Sequence, residues 1–180
     1  MQHGFIKVGA AVPLVSVADT KYNTNQLIAL AQRAHEEGAE VTVFPELCIT
    51  GYTCGDLLTQ QTLLQEAENS VAEFAEATKE YDNIYIIGAP IYVCGALYNC
   101  ALVMQRGRIL GIVPKCYIPN YGEFSERRWF STGYNLRMED DIHYAGQWVH
   151  IGSYQIFHTG RYAFGVEICE DLWSVTPPSS

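Results

Sequence analysis

Apolar residues recur along this chain with two periods, and the switches between them predict an α/β protein. Residues 5–17 are mostly apolar, interrupted by Lys7, Gly9 and Pro13, and predict a first strand over 6–12. After a polar turn, Leu27, Leu30, Ala31 and Ala34 form a helical stripe; the helix is expected to start near Asn23 or Thr24 and to stop at Gly38. The β-branched run 41–44 predicts the next strand. A second amphipathic helix over 63–81 carries Leu64, Ala67, Val71, Phe74 and Ala75 on one face and leads into a strand over 84–87. Two successive strand-helix-strand units indicate an α/β architecture. Beyond them the pattern predicts hairpins: 97–105 with 109–113 around Arg106-Gly107-Arg108, and 147–151 with 154–158 across Gly152-Ser153. A last strand over 162–168 would deliver Cys169 into the acidic turn Glu170-Asp171.

Three apolar runs end on one ionisable residue each: Phe44-Pro45-Glu46, Val113-Pro114-Lys115 and Ile168-Cys169. Strand ends in sheets covered by helices are where ligands and reactive groups gather. Taken singly, a cysteine is commonly a small buried hydrophobe, and a lysine or glutamate a solvated charge. Together the three have complementary roles. A thiol ionises near pH 8.5 and needs a base or a cation beside it to attack at neutrality. Glu46 can take its proton, and Lys115 can hold the negative charge that then develops on sulfur and on a carbonyl oxygen. The backbone N–H after Cys169 is a second oxyanion donor. Such a set attacks an amide or nitrile carbon through a thioester, and it needs no histidine. The segment 115–130 crowds polar and aromatic groups behind the lysine, either as a surface ion-pair network or with Glu123 as a second carboxylate near Lys115 and Glu46.

Composition narrows the partners. With 48% hydrophobic and 17% charged residues among 180, the chain can bury a core as one domain. Its net charge of −9 argues against nucleic-acid and anionic-membrane surfaces and favours a small soluble substrate. No basic leader and no apolar run of spanning length is read, so a cytoplasmic location is expected. The six cysteines form no C-x-x-C pair and have no histidine pair nearby, so reduced thiols and no metal site are expected.

The motifs that carry this chemistry resemble a known family. Glu46 in Phe-Pro-Glu, Lys115 in Pro-Lys and Cys169 in Ile-Cys-Glu-Asp are similar, in order and spacing, to the triad of the nitrilase, or carbon-nitrogen hydrolase, superfamily. More narrowly, the blocks 45–56, 115–130 and 165–173 resemble the glutaminase domains of glutamine-dependent NAD synthetases, and the likeness runs over essentially the whole chain. The resemblance implies a nitrilase-like αββα sandwich, with residues 1–180 as a partial domain whose C-terminal part is missing and whose synthetase domain is absent. It implies Glu46 as general base, Lys115 as oxyanion stabiliser, Cys169 as nucleophile and Glu123 as an additional active-site glutamate, with Tyr52, Tyr121 and Glu170 contacting glutamine. Glutamine would be cleaved to glutamate and ammonia, and the ammonia used by the synthetase domain of the same chain to amidate deamido-NAD. No cofactor is implied here; ATP and Mg are implied for the synthetase domain. Strands left with open edges would favour a homo-oligomer. The alternatives are an amidase acting on another small amide, nitrile or carbamoyl group, and an inactive fragment or non-catalytic module.

Overall fold

The structure, a computed structural model, describes residues 4–136 and 141–180. Strands β1 (Val8–Ala10), β2 (Val41–Val43) and β3 (Ile84–Val93) run parallel, because helix α1 (Thr20–Glu36) returns the chain between the first two and α2 (Gln61–Ala77) between the second and third. Strands β4 (Ala96–Gln105) and β5 (Arg108–Pro114) then add antiparallel neighbours, completing a sheet ordered β1-β2-β3-β4-β5. Helix α1 begins a turn earlier than its apolar stripe predicts, because the Asp19 side chain accepts from Tyr22 N–H and caps it.

Both helices pack on one face of the sheet. Leu27 and Ala31 of α1 and Ala67, Val71 and Phe74 of α2 are buried against Tyr85, Ile87, Leu102 and Met104. The Phe74 ring meets Phe44 and Tyr85 edge-on, at centroid distances of 6.0 and 5.6 Å. The opposite face presents Val41, Ile84, Ile86, Ala101, Val103 and Val113, over which lie Phe157, Tyr162, Phe164, Val166 and Ile168. A third cluster, including Leu47, Leu58, Leu97, Ile118 and Phe130, sits where the loops leave the sheet.

The C-terminal third corrects two expectations. The partner of β7 (Gln147–His150) is β6 (Asp141–Tyr144), and 154–158 does not pair with it; β8 (Phe157–His158) pairs with β9 (Ala163–Phe164). The expected strand over 162–168 is regular only at β9. Its apolar character comes from packing onto the sheet face through Val166 and Ile168. The hairpin that joins β3 to β4 was not anticipated either. Three tight turns explain why: Cys94-Gly95, Arg106-Gly107 and Ala145-Gly146 each have positive φ at both residues, from 49° to 79°. These are two-residue turns of the twist that strand pairs prefer, a position where Asn or Asp usually precedes the glycine. Here Cys, Arg and Ala do, which hides two of the three turns.

One close approach prepares the functional end of the sheet. After β2 the chain turns through Pro45-Glu46-Leu47 and rejoins β3, where Ile49 N–H donates to Gly88 O (3.1 Å). A Cβ on Gly88 would stand 2.4 Å from Leu47 N. Glycine at 88 lets the Glu46 turn lie against the sheet.

Cys94 is exposed and holds φ at 51°, a conformation that Asn adopts at lower cost. Cys94→Asn is expected to stabilise the protein by about 0.5–1 kcal/mol, seen as a melting temperature raised by about 1–4 °C. A lower melting temperature would mean that the turn is not strained at this residue.

Candidate active site

Three backbone devices bring side chains together beyond the ends of β2 and β5. The turn after β2 carries Glu46, partly buried, on its inner side. Lys115 follows β5 directly, and its backbone continues the ladder: Lys115 N–H donates to Asn99 O (2.8 Å), and Lys115 O accepts from Gly133 N–H (2.8 Å). Cys169 precedes the single-turn helix α3 (Glu170–Trp173) with φ 49° and ψ −102°, outside the region an L-residue ordinarily occupies.

The centre of the arrangement is the Lys115 ammonium, 0% exposed. Its Nζ donates to Glu46 Oε1 at 2.7 Å and to Glu126 Oε1 and Oε2 at 2.8 and 3.0 Å. Burial pulls the lysine down, but the charges and hydrogen bonds of Glu46 and Glu126 outweigh it, and the net shift is upward. Glu126 also accepts from Tyr52 OH (2.7 Å). Desolvation and the adjoining Glu126 carboxylate hold that phenol well above its ordinary value. Glu46 accepts a further bond from Asn99 Nδ2 (2.5 Å).

The second carboxylate on Lys115 is therefore Glu126, which corrects the expectation placed on Glu123. Glu123 is exposed, in a turn closed by Phe124 N–H on Tyr121 O (2.9 Å). Three residues later Glu126 N–H donates to Pro119 O (3.2 Å), and the chain tightens into a short 3-10 turn over Glu126–Arg128 that faces its first side chain inward. That turn is tied from outside: Arg128 forms a two-point pair with Asp56 (2.7 and 2.9 Å), and Trp129 Nε1 donates to the same carboxylate (2.9 Å).

Cys169 and Glu46 line one cavity of about 120 Å³, with Asn99, Gly88, Cys100 and Ile168 among its other walls. The outer side of Cys169 is exposed, yet burial is the largest influence on its thiol and pushes it up. Glu46 pushes it further, Lys115 pulls it down, Glu126 raises it, and the Glu170 N–H pulls it down, for a net upward shift. These influences favour the protonated thiol, with a carboxylate lining the same cavity. Tyr121 and Glu170 also meet: Tyr121 OH donates to the Glu170 carboxylate (2.8 Å to Oε2) on the exposed rim. Tyr52, the third residue expected to contact substrate, donates its hydroxyl to Glu126 (2.7 Å).

The link between the lysine and cysteine elements is Asp171, 1% exposed. Its carboxylate accepts from Cys116 N–H (3.0 Å), Tyr117 N–H (2.7 Å) and Ile168 N–H (3.2 Å). Burial raises this carboxyl above its ordinary value, against the pull of those N–H groups and of Lys115. Asp171, Asn99 and Glu126 were not singled out from the sequence. The Cys-Glu-Asp and Ser-Glu-Arg-Arg runs were the available signals for two of them; Asn99, inside an apolar strand, has none beyond being polar there.

The family model for carbon-nitrogen hydrolases matches residues 8–176. A glutamine-dependent NAD(+) synthetase of Mycobacterium bovis is 35% identical over 182 aligned residues, covering 99% of this chain and 26% of its own length. The chain thus spans about a quarter of the length of such relatives. In structure it resembles a glutamine-dependent NAD(+) synthetase from Cytophaga hutchinsonii, with a TM-score of 0.81 at 26% identity over 92% of this chain and 28% of that one. An amidase from Nesterenkonia sp. AN1 shares the fold, with a TM-score of 0.69 at 16% identity over 93% of this chain and 59% of the amidase. The α/β arrangement seen here is accordingly a nitrilase-like fold.

Lys115→Met keeps the stem and leaves a buried and a partly buried carboxylate opposed without a cation. The variant is expected to lose about 3–5 kcal/mol at neutral pH, a fall of about 6–20 °C in melting temperature. Because the folded-state value of Lys115 is raised, its charge stabilises the fold fully below the unfolded value near ~10.4, and that contribution is lost as pH rises through the higher folded value. The difference between wild type and variant should therefore shrink in alkaline urea titrations. A constant difference would contradict the assignment.

Proposed function

The chain belongs to the carbon-nitrogen hydrolase family, and we propose that it hydrolyses the side-chain amide of glutamine through a Cys169 thioester. One observation carries this reading: a fully buried ammonium between two carboxylates, one of which shares a small cavity with a cysteine. The two carboxylates and one ammonium of these ion pairs sum to one negative charge, and a free thiolate would make two. Passing the thiol proton to Glu46 as sulfur attacks keeps the total unchanged.

Sulfur then bonds to the amide carbon, and the charge moves to the carbonyl oxygen, where Lys115 and the Glu170 N–H stabilise it. Collapse breaks the carbon-nitrogen bond, and Glu46 returns the proton to the leaving nitrogen, which departs as ammonia. Water, activated by the same carboxylate, attacks the thioester; glutamate leaves and the thiol is restored. Glu126 holds the ammonium from the far side and takes the role first read for Glu123. Tyr121 and Glu170 form the rim, where Glu170 can meet a substrate ammonium.

Glutamine is favoured over other amides by the glutamine dependence of the synthetases this chain resembles and by that acidic rim. In the longer relatives' context, residues 1–180 act as the glutaminase part, and the ammonia passes to a synthetase domain that amidates deamido-NAD with ATP and Mg. Neither ATP nor Mg enters the steps assigned to these residues. A cytoplasmic location and self-association belong to the same reading, the latter supported by exposed Val8, Val12 and Val43 at the β1–β2 edge.

Intact-mass analysis after exposure to 6-diazo-5-oxo-norleucine tests the nucleophile and the substrate class together. One adduct is expected on the wild type and none on Cys169→Ala, with glutamine slowing the labelling and simple nitriles or N-carbamoyl compounds leaving it unchanged. Labelling that survives in Cys169→Ala would refute the assignment of the nucleophile, and protection by another amide in place of glutamine would move the substrate class.

A further inference from the structure

Asn99 lies in the middle of an apolar strand, 1% exposed, and its two ends are treated unequally. Nδ2 donates to Glu46 Oε1 at 2.5 Å. Oδ1 is buried with no hydrogen-bond partner. An unpartnered buried acceptor costs on the order of 1–3 kcal/mol, which an apolar side chain of similar shape would avoid. The backbone of the same residue holds the other half of the ion pair, since Asn99 O accepts from Lys115 N–H (2.8 Å). One residue thus fixes Lys115 through its main chain and Glu46 through its side chain. Asn99 is also among the residues lining the cavity that Cys169 and Glu46 share.

We infer that Asn99 is a positioning residue for the hydrolytic step, pinning Oε1 of Glu46 together with Lys115 so that Oε2 is the oxygen left to take the proton from Cys169. Lys115 alone gives the carboxylate one anchor, about which it can rotate and present either oxygen. A second donor on the same oxygen removes that freedom, and the unpartnered Oδ1 is the accompanying cost. The inference rests on the reading of Glu46 as base, and it adds which oxygen acts and what aims it.

The measurement is the rate of Cys169 labelling by 6-diazo-5-oxo-norleucine at pH 7 in the wild type, Asn99→Leu, Asn99→Ala and Glu46→Gln, each with its melting temperature. Asn99→Leu removes both the donor and the unpartnered acceptor; Asn99→Ala removes them without added bulk and remains informative should the leucine variant not fold. Both are expected to lower the limiting labelling rate at least about tenfold, as losing one aimed hydrogen bond does, with the half-saturating concentration unchanged. Among the described residues, the groups whose charge or hydrogen bonding bears on Cys169 include Glu46, Lys115, Glu126, the Glu170 N–H, Tyr52 and Tyr121. In strong alkali, hydroxide ionises the thiol without help from Glu46, so labelling by iodoacetamide there should agree within about twofold between variants and wild type.

Wild-type rates at pH 7 in both Asn99 variants would overturn this inference alone. A loss that follows the melting temperature and persists in alkali would overturn it in favour of a purely structural asparagine. Wild-type rates in Glu46→Gln, or no label on wild-type Cys169, would overturn the proposed base and this inference with it.

Discussion

The arrangement depends on one buried cation. Lys115 has lost all contact with solvent, and a charge that deep is tolerated only when its desolvation is offset by close, well-directed partners. Glu46 and Glu126 supply them, and in doing so they dictate much of what surrounds the site. Glu46 has to reach inward from the turn after β2, which requires Gly88 to leave room for that turn. Glu126 has to be folded inward from a surface loop, which the Asp56 pairing with Arg128 and Trp129 achieves from outside. Replacing the triad of charges by apolar side chains would be no worse for stability by the general behaviour of buried ion pairs. Its presence is better explained by what it does to a neighbouring thiol.

That effect is restraint rather than activation. A cysteine beside a lone lysine would ionise readily and react with any electrophile. Here burial and two carboxylates hold the thiol up while the lysine only partly compensates. In the proposed reaction the proton leaves when there is a carbon to attack, because then the charge moves through sulfur to a carbonyl oxygen and the proton stays in the cluster on Glu46. The unusual backbone of Cys169 serves the same end: with φ at 49° the residue turns abruptly into α3, placing sulfur at the cavity and the following N–H beside it.

What the sequence disclosed and what it withheld divide along a physical line. The three ionisable residues at the ends of apolar runs were legible because each breaks a local pattern, and the alternation of strands and amphipathic helices was legible because α1 and α2 bury one face each. The partner of Lys115 was not, since Glu123 and Glu126 lie in the same polar loop and only the fold of that loop decides which turns inward. The hairpins at Cys94-Gly95 and Ala145-Gly146 were hidden by turn residues that tolerate positive φ poorly. The run before Cys169 has the composition of a strand but spends its apolar side chains on the face of the sheet, a distinction that periodicity cannot make. Asn99 and Asp171 were missed for a common reason: the partners that give them their place are distant along the chain, Glu46 for Asn99 and the Cys116 and Tyr117 N–H groups for Asp171.

The precision of the site is a property of the main chain more than of the reactive side chains. Asp171 gathers three N–H groups, two from the stretch after Lys115 and one from the residue before Cys169, so the strand that carries the cation and the elbow that carries the thiol cannot move independently. A carboxylate suits this task because it offers two acceptor oxygens and no donor to oppose three converging N–H groups. Its burial raises its own cost, as the upward shift of its ionisation shows, and the three bonds offset that cost only while both segments stay in place. Asn99 performs the corresponding task between the cation and the base. In the proposed reaction the nucleophile, cation and base are thus each held by a group that takes no part in bond making, and those links leave each reactive atom little freedom to do anything else.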